Sequence, residues 1–316
     1  MSTIISQIRK ILERQQYRLI GNHSCTKICH WTKKSLKEGR VCYKEKWYKG
    51  VKSHRCLQLS TSTLWCSHKC LWCWRLQSGD RQNLKWRDYP FNPAKIDDPK
   101  EILDGCIEAR KLLLTGFKGF SKVDVKKWKE AIIPTNVAIS LVGESLLYEK
   151  IDEFIQECHK RKLITFLVTN GTLPEKLNNL IKSAEPTQLY ITLPAPDKRT
   201  YLKACRPLIK DGWKKLNESL ELMKSFNCSK VIRLTLVKGL SLKDPEKYAK
   251  LILKAEPDFI EPKGFVHVGE AQKRLPRESM PSIEEVKKFA EKLSDFTGYK
   301  IKDEDKASRV VLLTKG

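Results

Sequence analysis

Between residues 66 and 73 the chain reads Cys-Ser-His-Lys-Cys-Leu-Trp-Cys, a Cys-x3-Cys-x2-Cys run with an aromatic residue just before its last cysteine. Three thiolates this close can converge on a single metal centre, and that demand constrains the local backbone whatever surrounds it. Structural zinc usually takes four protein ligands, in pairs. A cubane iron–sulfur cluster takes cysteine thiolates, and three of them leave one iron open. The run therefore points to Cys66, Cys70 and Cys73 as ligands of a [4Fe–4S] cluster. The competing assignment is a zinc site completed by His68 or by a cysteine nearer the N-terminus. Trp72 packs beside such a centre or its ligand, or else is a core aromatic.

The surrounding pattern decides between them. From residue 57 onward strand and helix signals alternate. Strands are expected at Leu57–Thr63, Val137–Val142, Ile164–Thr169, Leu189–Leu193 and Val231–Val237, with a short sixth opening at Phe259–Ile260 and a last one at Val310–Leu313. Helices are expected from the Asp97-Asp98-Pro99 cap to about Leu114, through Ile151, Phe154, Ile155 and Cys158, and over Leu173–Lys182. Further helices follow along the Trp213, Leu216, Leu220 and Met223 face, over Pro245–Leu253 and over 282–293. Six βα units in series imply an α/β fold with a parallel sheet and outer helices, an incomplete (βα)6 TIM-like barrel. Ligands bind such sheets at the carboxyl ends of the strands, and the cysteine loop follows the first strand. Two further strand ends carry polar signals. Ser140-Leu141-Val142-Gly143-Glu144 ends the second: a glycine lets the backbone approach, and a carboxylate or carbonyl accepts from an ammonium. The ordinary alternative is a turn glycine followed by an exposed glutamate. Thr169-Asn170-Gly171-Thr172 ends the third, where an Asn-Gly turn and a hydrogen-bonding role for Asn170 are compatible. Arg233 on the fifth strand and Arg199, Arg206 and Lys210 after the fourth are candidate anion contacts, although solvated charge is the commoner explanation for any one of them.

Residues 1–56 form a separate, basic, cysteine-rich extension, and 57–316 the barrel with a C-terminal addition. Ile4, Ile8, Ile11 and Leu12 mark a short amphipathic helix at the start. Seven of the 11 cysteines, Cys25, Cys29, Cys42, Cys56, Cys66, Cys70 and Cys73, fall in the first quarter; Cys106, Cys158, Cys205 and Cys228 read as scattered core thiols. Cys29, Cys42 and Cys56 are too widely spaced for a zinc knuckle, but suit a second three-thiolate cluster. Around them, lysines and arginines alternate with Trp31, Tyr43, Trp47 and Tyr48, a composition suited to phosphates and unpaired bases; the alternative is a basic flap whose aromatics pack on the barrel. The net charge of +24, from 61 Lys+Arg against 37 Asp+Glu, favours a polyanionic partner. No run of about 18 apolar residues suggests a membrane span, and the first ten residues lack a signal-peptide pattern. A cytoplasmic protein, a monomer, is expected.

The cysteine run, the Gly-Glu at the second strand end and the six βα units together resemble the radical SAM superfamily. More specifically, the chain is similar along nearly its whole length to the archaeal tRNA 4-demethylwyosine synthases of wyosine biosynthesis. The likeness rests on His30-Trp31-Thr32-Lys33-Lys34-Ser35-Leu36, Cys42-Tyr43-Lys44, Ser53-His54-Arg55-Cys56, residues 66–74, 141–145 and 167–173, Ala195-Pro196-Asp197, Glu261-Pro262-Lys263 and Met280-Pro281-Ser282. It departs at Pro194, where an acidic residue is expected, and at Glu270 after Val268-Gly269, where an aromatic is expected. The resemblance implies two [4Fe–4S] clusters, one on Cys66, Cys70 and Cys73 and an auxiliary one on Cys29, Cys42 and Cys56. It implies S-adenosyl-L-methionine (SAM) held at the open iron with Trp72, Gly143, Glu144 and Asn170 about it. The implied reaction, that of a carbon–carbon lyase or condensing enzyme, joins N1-methylguanosine at position 37 of tRNA-Phe with two carbons of pyruvate. Pyruvate would be held by Lys44 as a Schiff base or by the free auxiliary iron. An external flavodoxin- or ferredoxin-type donor would supply electrons. Another radical SAM RNA-modifying enzyme, or a non-catalytic zinc RNA-binding protein, is the competing expectation. Anaerobically reconstituted protein should carry about eight irons, by the stoichiometry of two cubanes. About four would eliminate the auxiliary cluster, and zinc alone would eliminate both.

Overall fold

A computed structural model describes residues 2–315, with side chains from Ser6 onward. The Ile4 side chain of the expected amphipathic helix lies outside the described residues; Ile8 and Leu12 are buried. Compactness divides the chain into two interleaved units: residues 1–65 with 81–167, and residues 66–80 with 168–316.

The first unit begins with α1 (Ser2–Arg14) and an antiparallel hairpin, β1 (Arg18–Ile20) and β2 (Ser24–Thr26). Two short helices follow, α2 (His30–Glu38) and α3 (Tyr43–Trp47), and then β3 (Cys56–Ser60). α4 (Pro99–Thr115), α5 (Val125–Ala131), β4 (Asn136–Ile139), α6 (Ile151–Lys160) and β5 (Ile164–Thr169, whose last two residues open the second unit) complete it. β2 lies antiparallel on β3 through Cys25↔Ser60, while β3, β4 and β5 run parallel. The expected Asp98 cap is present: its carboxylate accepts from the Lys100 amide at 2.8 Å, with Pro99 in the first turn. β4 is buried along its whole length and β5 along most of it, as parallel strands under helices must be.

The second unit holds the cysteine loop, then α7 (Pro174–Ser183), β6 (Gln188–Leu193), α8 (Lys198–Cys205), α9 (Gly212–Met223), β7 (Ser229–Leu236), α10 (Pro245–Ala255) and β8 (Phe259–Gly264). α11 (Ile283–Thr297) starts on a Ser282/Glu285 capping box. β9 (Lys300–Asp305) and β10 (Val310–Thr314) finish the chain. β6, β7 and β8 are parallel; β10 is antiparallel to both β8 and β9. No helix among the described residues is long and apolar enough to cross a membrane.

Arg233 of β7, a candidate anion contact by sequence, is engaged within the sheet. Its guanidinium meets Glu261 of β8 at 2.8 Å and lies 4.5 Å over the Tyr190 ring of β6, and the Tyr190 hydroxyl donates to Glu261 at 3.2 Å. The Glu261 side chain is fully buried. Removing one partner of such a pair strands a buried charge. Arg233→Met should therefore lower unfolding free energy by about 3 kcal/mol, read from the urea midpoint. An unchanged midpoint would show that the pair contributes nothing to the fold.

Candidate active site

In the first unit three cysteines come together although 27 positions separate the first from the last in the sequence. Cys29 caps the N-terminus of α2 and Cys42 that of α3; Cys56 opens β3 after the Ser53–Arg55 turn. Ser53 joins the three segments. Its hydroxyl accepts the Cys42 amide at 2.8 Å, its carbonyl accepts the Thr32 hydroxyl at 2.7 Å, and its amide donates to Glu45 at 2.6 Å. The Cys56 thiol is pushed up to about 12, first by burial and then by the nearby Cys29 and Cys42 thiols, with Arg110 and Lys44 opposing. Burial also raises Cys29, and the Trp31 and Thr32 amides at the start of α2 work against it, as helix N-terminal amides favour a thiolate. The donor set is thus three thiols with two cations beside them. The guanidinium of Arg110 is buried, and its Nε and Nη1 meet no hydrogen-bond partner. Such a place fits an iron–sulfur cluster, whose thiolates and sulfides would supply the missing negative charge. Lys44 is part of it, its Nζ 4.0 Å from the Phe166 ring centroid.

Cys25 takes no part. It is fully buried in β2 opposite Ser60 of β3, and burial raises its thiol to about 12. The interleaved aromatics divide: Tyr43 is buried against Trp47, with centroids 4.8 Å apart, while Trp31 meets the His30 ring edge-on.

At the end of β4, Gly143 adopts a left-handed φ of 75°, and a side chain there would strike the Ser62 and Trp65 carbonyl oxygens. Glu144 is buried; its amide donates to Trp65, the residue before the first loop cysteine, at 2.9 Å, and its carboxylate accepts from Leu146 at 3.2 Å. The expected exposed glutamate of the ordinary turn is therefore not what the chain has.

In the second unit the cysteine loop is held almost entirely through its backbone. Lys69 and Leu71 amides donate to Cys205 and Ala204 at 2.9 Å each, and Leu208 donates to Ser67 at 2.8 Å. Arg206, expected to be solvated or substrate-facing, instead donates to Lys69 O at 2.7 Å and to Gln77 at 3.0 Å. Arg274 binds the Cys73 carbonyl and pairs with Asp80 at 3.0 Å. Cys66, Cys70 and Cys73 are half-buried. Asn170 donates to Cys66 Sγ at 3.8 Å and to Ser67 at 2.9 Å, while its carbonyl oxygen accepts from the Thr172 amide at 3.1 Å. It thus forms the Asn-Gly turn and contacts a loop thiol at once. Arg75 and Arg274 oppose the burial that raises Cys73, so this loop, too, suits thiolate ligands. Trp72 packs against the apolar group of Ala204, Val237, Leu240, Phe265 and Ala271.

His68, the possible zinc ligand, is buried with its acidity shifted to about 3 by burial, and its Nε2 contacts the Tyr201 hydroxyl at 2.6 Å. Cys205 was expected to be incidental. Its thiol instead lies beside that of Cys70: potential ligand atoms of His68, Cys70 and Cys205 lie within 4.8 Å of one another. In the same unit a basic groove of about 640 Å³ is lined by Lys198, Arg199, Lys203, Lys243 and Lys247 with Asp197 and Asp244.

The class follows from the comparisons with known proteins. Residues 60–252 match the radical SAM superfamily model, and residues 254–315 match the model for wyosine base formation. The SAM-dependent tRNA 4-demethylwyosine synthase of Pyrococcus horikoshii is 46% identical, over 98% of this chain and 89% of that protein. A structure of TYW1 with a lysine–pyruvate adduct bound superposes with a TM-score of 0.86 at 35% identity, over 98% of this chain and 95% of that one. A crystal structure of archaeal TYW1 gives 0.77 at 32% identity, with the same coverage. The fold is the α/β radical SAM fold. Within that superfamily, the chain belongs to the family of SAM-dependent tRNA 4-demethylwyosine synthases.

Sequence reading missed the supports: Ser53, Thr32, Arg110, Arg206 and Arg274. Only the local Ser-His-Arg-Cys context hinted at the first. The supports carry a measurable expectation. The Cys73 amide donates to Cys70 at 3.2 Å and the Glu270 amide to Trp74 at 3.1 Å, on either side of the carbonyls that Arg274 holds at Cys73 and Arg75; hydrogen bonds from a charged group contribute roughly 1.5–3 kcal/mol, so Arg274→Met should speed exchange of both amides by at least about tenfold. Amides of β7 should be unaffected. Unchanged exchange at Cys73 and Glu270 would mean that Arg274 does not hold the loop.

Proposed function

We propose that this chain is a tRNA 4-demethylwyosine synthase that condenses N1-methylguanosine at position 37 of tRNA-Phe with two carbons of pyruvate. The observation that carries the reading is the meeting of Cys29, Cys42, Cys56 and Lys44 in one half-buried place, in a chain that also has the radical SAM cysteine loop. Cys66, Cys70 and Cys73 would hold one [4Fe–4S] cluster, and Cys29, Cys42 and Cys56 a second. Such clusters supply one-electron chemistry, with SAM at the open iron of the first as the source of a hydrogen-abstracting radical.

The protein's own residues bind and orient. By the family likeness, the Gly143-Glu144 segment would receive the SAM ammonium, Asn170 its ribose or carboxylate, and Trp72 its adenine. The Lys44 amine would add to the keto carbon of pyruvate and expel water, leaving a Schiff base that fixes the substrate. The related structure with a lysine–pyruvate adduct supports a lysine in this role. The net charge of +24 and the basic groove favour tRNA as the polyanionic partner. The protein is expected to act as a cytoplasmic monomer with a flavodoxin- or ferredoxin-type donor.

Lys44→Arg keeps the charge and removes the nucleophile. Borohydride with labelled pyruvate should mark the wild type and leave the variant unmarked. Product formation should fall at least about a hundredfold, on the scale of lost covalent catalysis, while tRNA affinity stays within about twofold. Full turnover by Lys44→Arg would exclude the Schiff base and leave the auxiliary iron as the pyruvate site.

A further inference from the structure

Arg110 stands in α4 with 1% of its surface exposed. Its Nη2 donates to the His54 carbonyl at 2.6 Å, but Nε and Nη1 have no partner, and among the described residues no carboxylate pairs with it. Burial brings its pKa down to about 10, so it stays cationic at neutral pH. A guanidinium taken out of water without an anion is among the most costly groups a protein can bury. The one bond to His54 does not explain it, since a glutamine or lysine could make that bond. The surroundings do. His54 lies two residues before Cys56, and Arg110 acts electrostatically on both Cys56 and Cys29. The two unpartnered N–H edges belong to a cation set beside three thiols.

We propose that Arg110 is the built-in counterion of the auxiliary cluster, a positioning and tuning residue that favours assembly of the cluster and raises its reduction potential. This rests on the reading that Cys29, Cys42 and Cys56 hold a cluster. Reduction adds an electron to an already anionic centre, and a fixed positive charge in a low-dielectric surrounding stabilises the product more than the reactant. Outer residues tune metal centres in this way without touching the metal. It follows that Arg110 is a liability before the cluster arrives, because its charge is then uncompensated.

The test uses the full chain with Cys66→Ala, Cys70→Ala and Cys73→Ala, so that only the auxiliary site can hold iron. Arg110→Gln and Arg110→Lys are added separately; both can donate to His54, and they differ in charge. Iron and sulfide are counted after anaerobic reconstitution, the midpoint potential is read by redox titration with EPR detection, and urea unfolding is followed on the cluster-free proteins. The parent should hold about four irons. In Arg110→Gln the equilibrium constant for reduction should fall at least tenfold, about 59 mV for one electron, while Arg110→Lys stays within about threefold of the parent. The cluster-free Gln variant should unfold at an equal or higher urea midpoint.

A Gln variant with full iron and an unchanged potential overturns the proposal. So does a Gln variant that fails to fold without the cluster, because Arg110 would then hold the fold and not the cluster. If the Gln variant folds but takes up less iron, Arg110→Lys decides: restored iron supports the charge role, and equal loss overturns it. A parent that binds no iron refutes the auxiliary cluster itself, and the counterion role falls with it.

Discussion

A single serine determines whether the N-terminal cysteines can act together. Cys29, Cys42 and Cys56 arrive on a helix start, a second helix start and the head of a strand, and nothing in their spacing brings them together. From the turn that leads into β3, Ser53 uses its hydroxyl and its amide on Cys42 and Glu45 of the α3 segment and its carbonyl on Thr32 of α2, so the three segments are positioned against one another by short hydrogen bonds inside a buried turn. Helix starts are well suited to present sulfur, because their free amides and dipole favour a thiolate. The thiols converge where Arg110 and Lys44 already lie.

Both cysteine sets follow one electrostatic scheme, reached by different structural means. Burial alone would keep every thiol protonated, and cations placed beside the thiols oppose it: Arg110 and Lys44 in the first unit, Arg75 and Arg274 in the second. In the first unit the cysteines stand at two helix starts and the head of a strand, and their segments are tied by the bonds of Ser53. In the second they share one loop, and the loop's carbonyls and amides are held by residues 204–208 and by Arg274. Among the buried core thiols, Cys106 is raised by burial with no cation opposing, whereas Arg161 opposes the rise at Cys158 and Lys27 that at Cys25.

The βα series was legible because apolar runs and caps recur at strand and helix spacing; Ile164–Thr169 and the Asp98 cap were read as they stand. α2 and α3 were not, since their lysines and aromatics obscure a helical stripe over only nine and five residues. β9 was also missed. Four of its six residues are exposed and most are charged, as befits an edge strand protected from further pairing. The cysteine sets were legible from composition and family likeness. Arg110 and Arg206 were not, because a lone arginine in a basic chain reads as solvated, and only the fold reveals that one is buried and the other turned onto the loop.

The supports of the cysteine loop also set a timetable for synthesis. The loop leaves the ribosome early, yet the arginine that clasps its end lies 194 residues later than Asp80, and Arg206 lies 137 residues beyond Lys69. The nascent chain therefore carries reactive thiols for most of translation before their clasps exist. A metal centre on that loop would mature only on a nearly finished polypeptide. Cys29, Cys42, Cys56, Ser53 and Arg110 all lie in the first 110 residues, so a centre held by them would not have to wait for the C-terminal half.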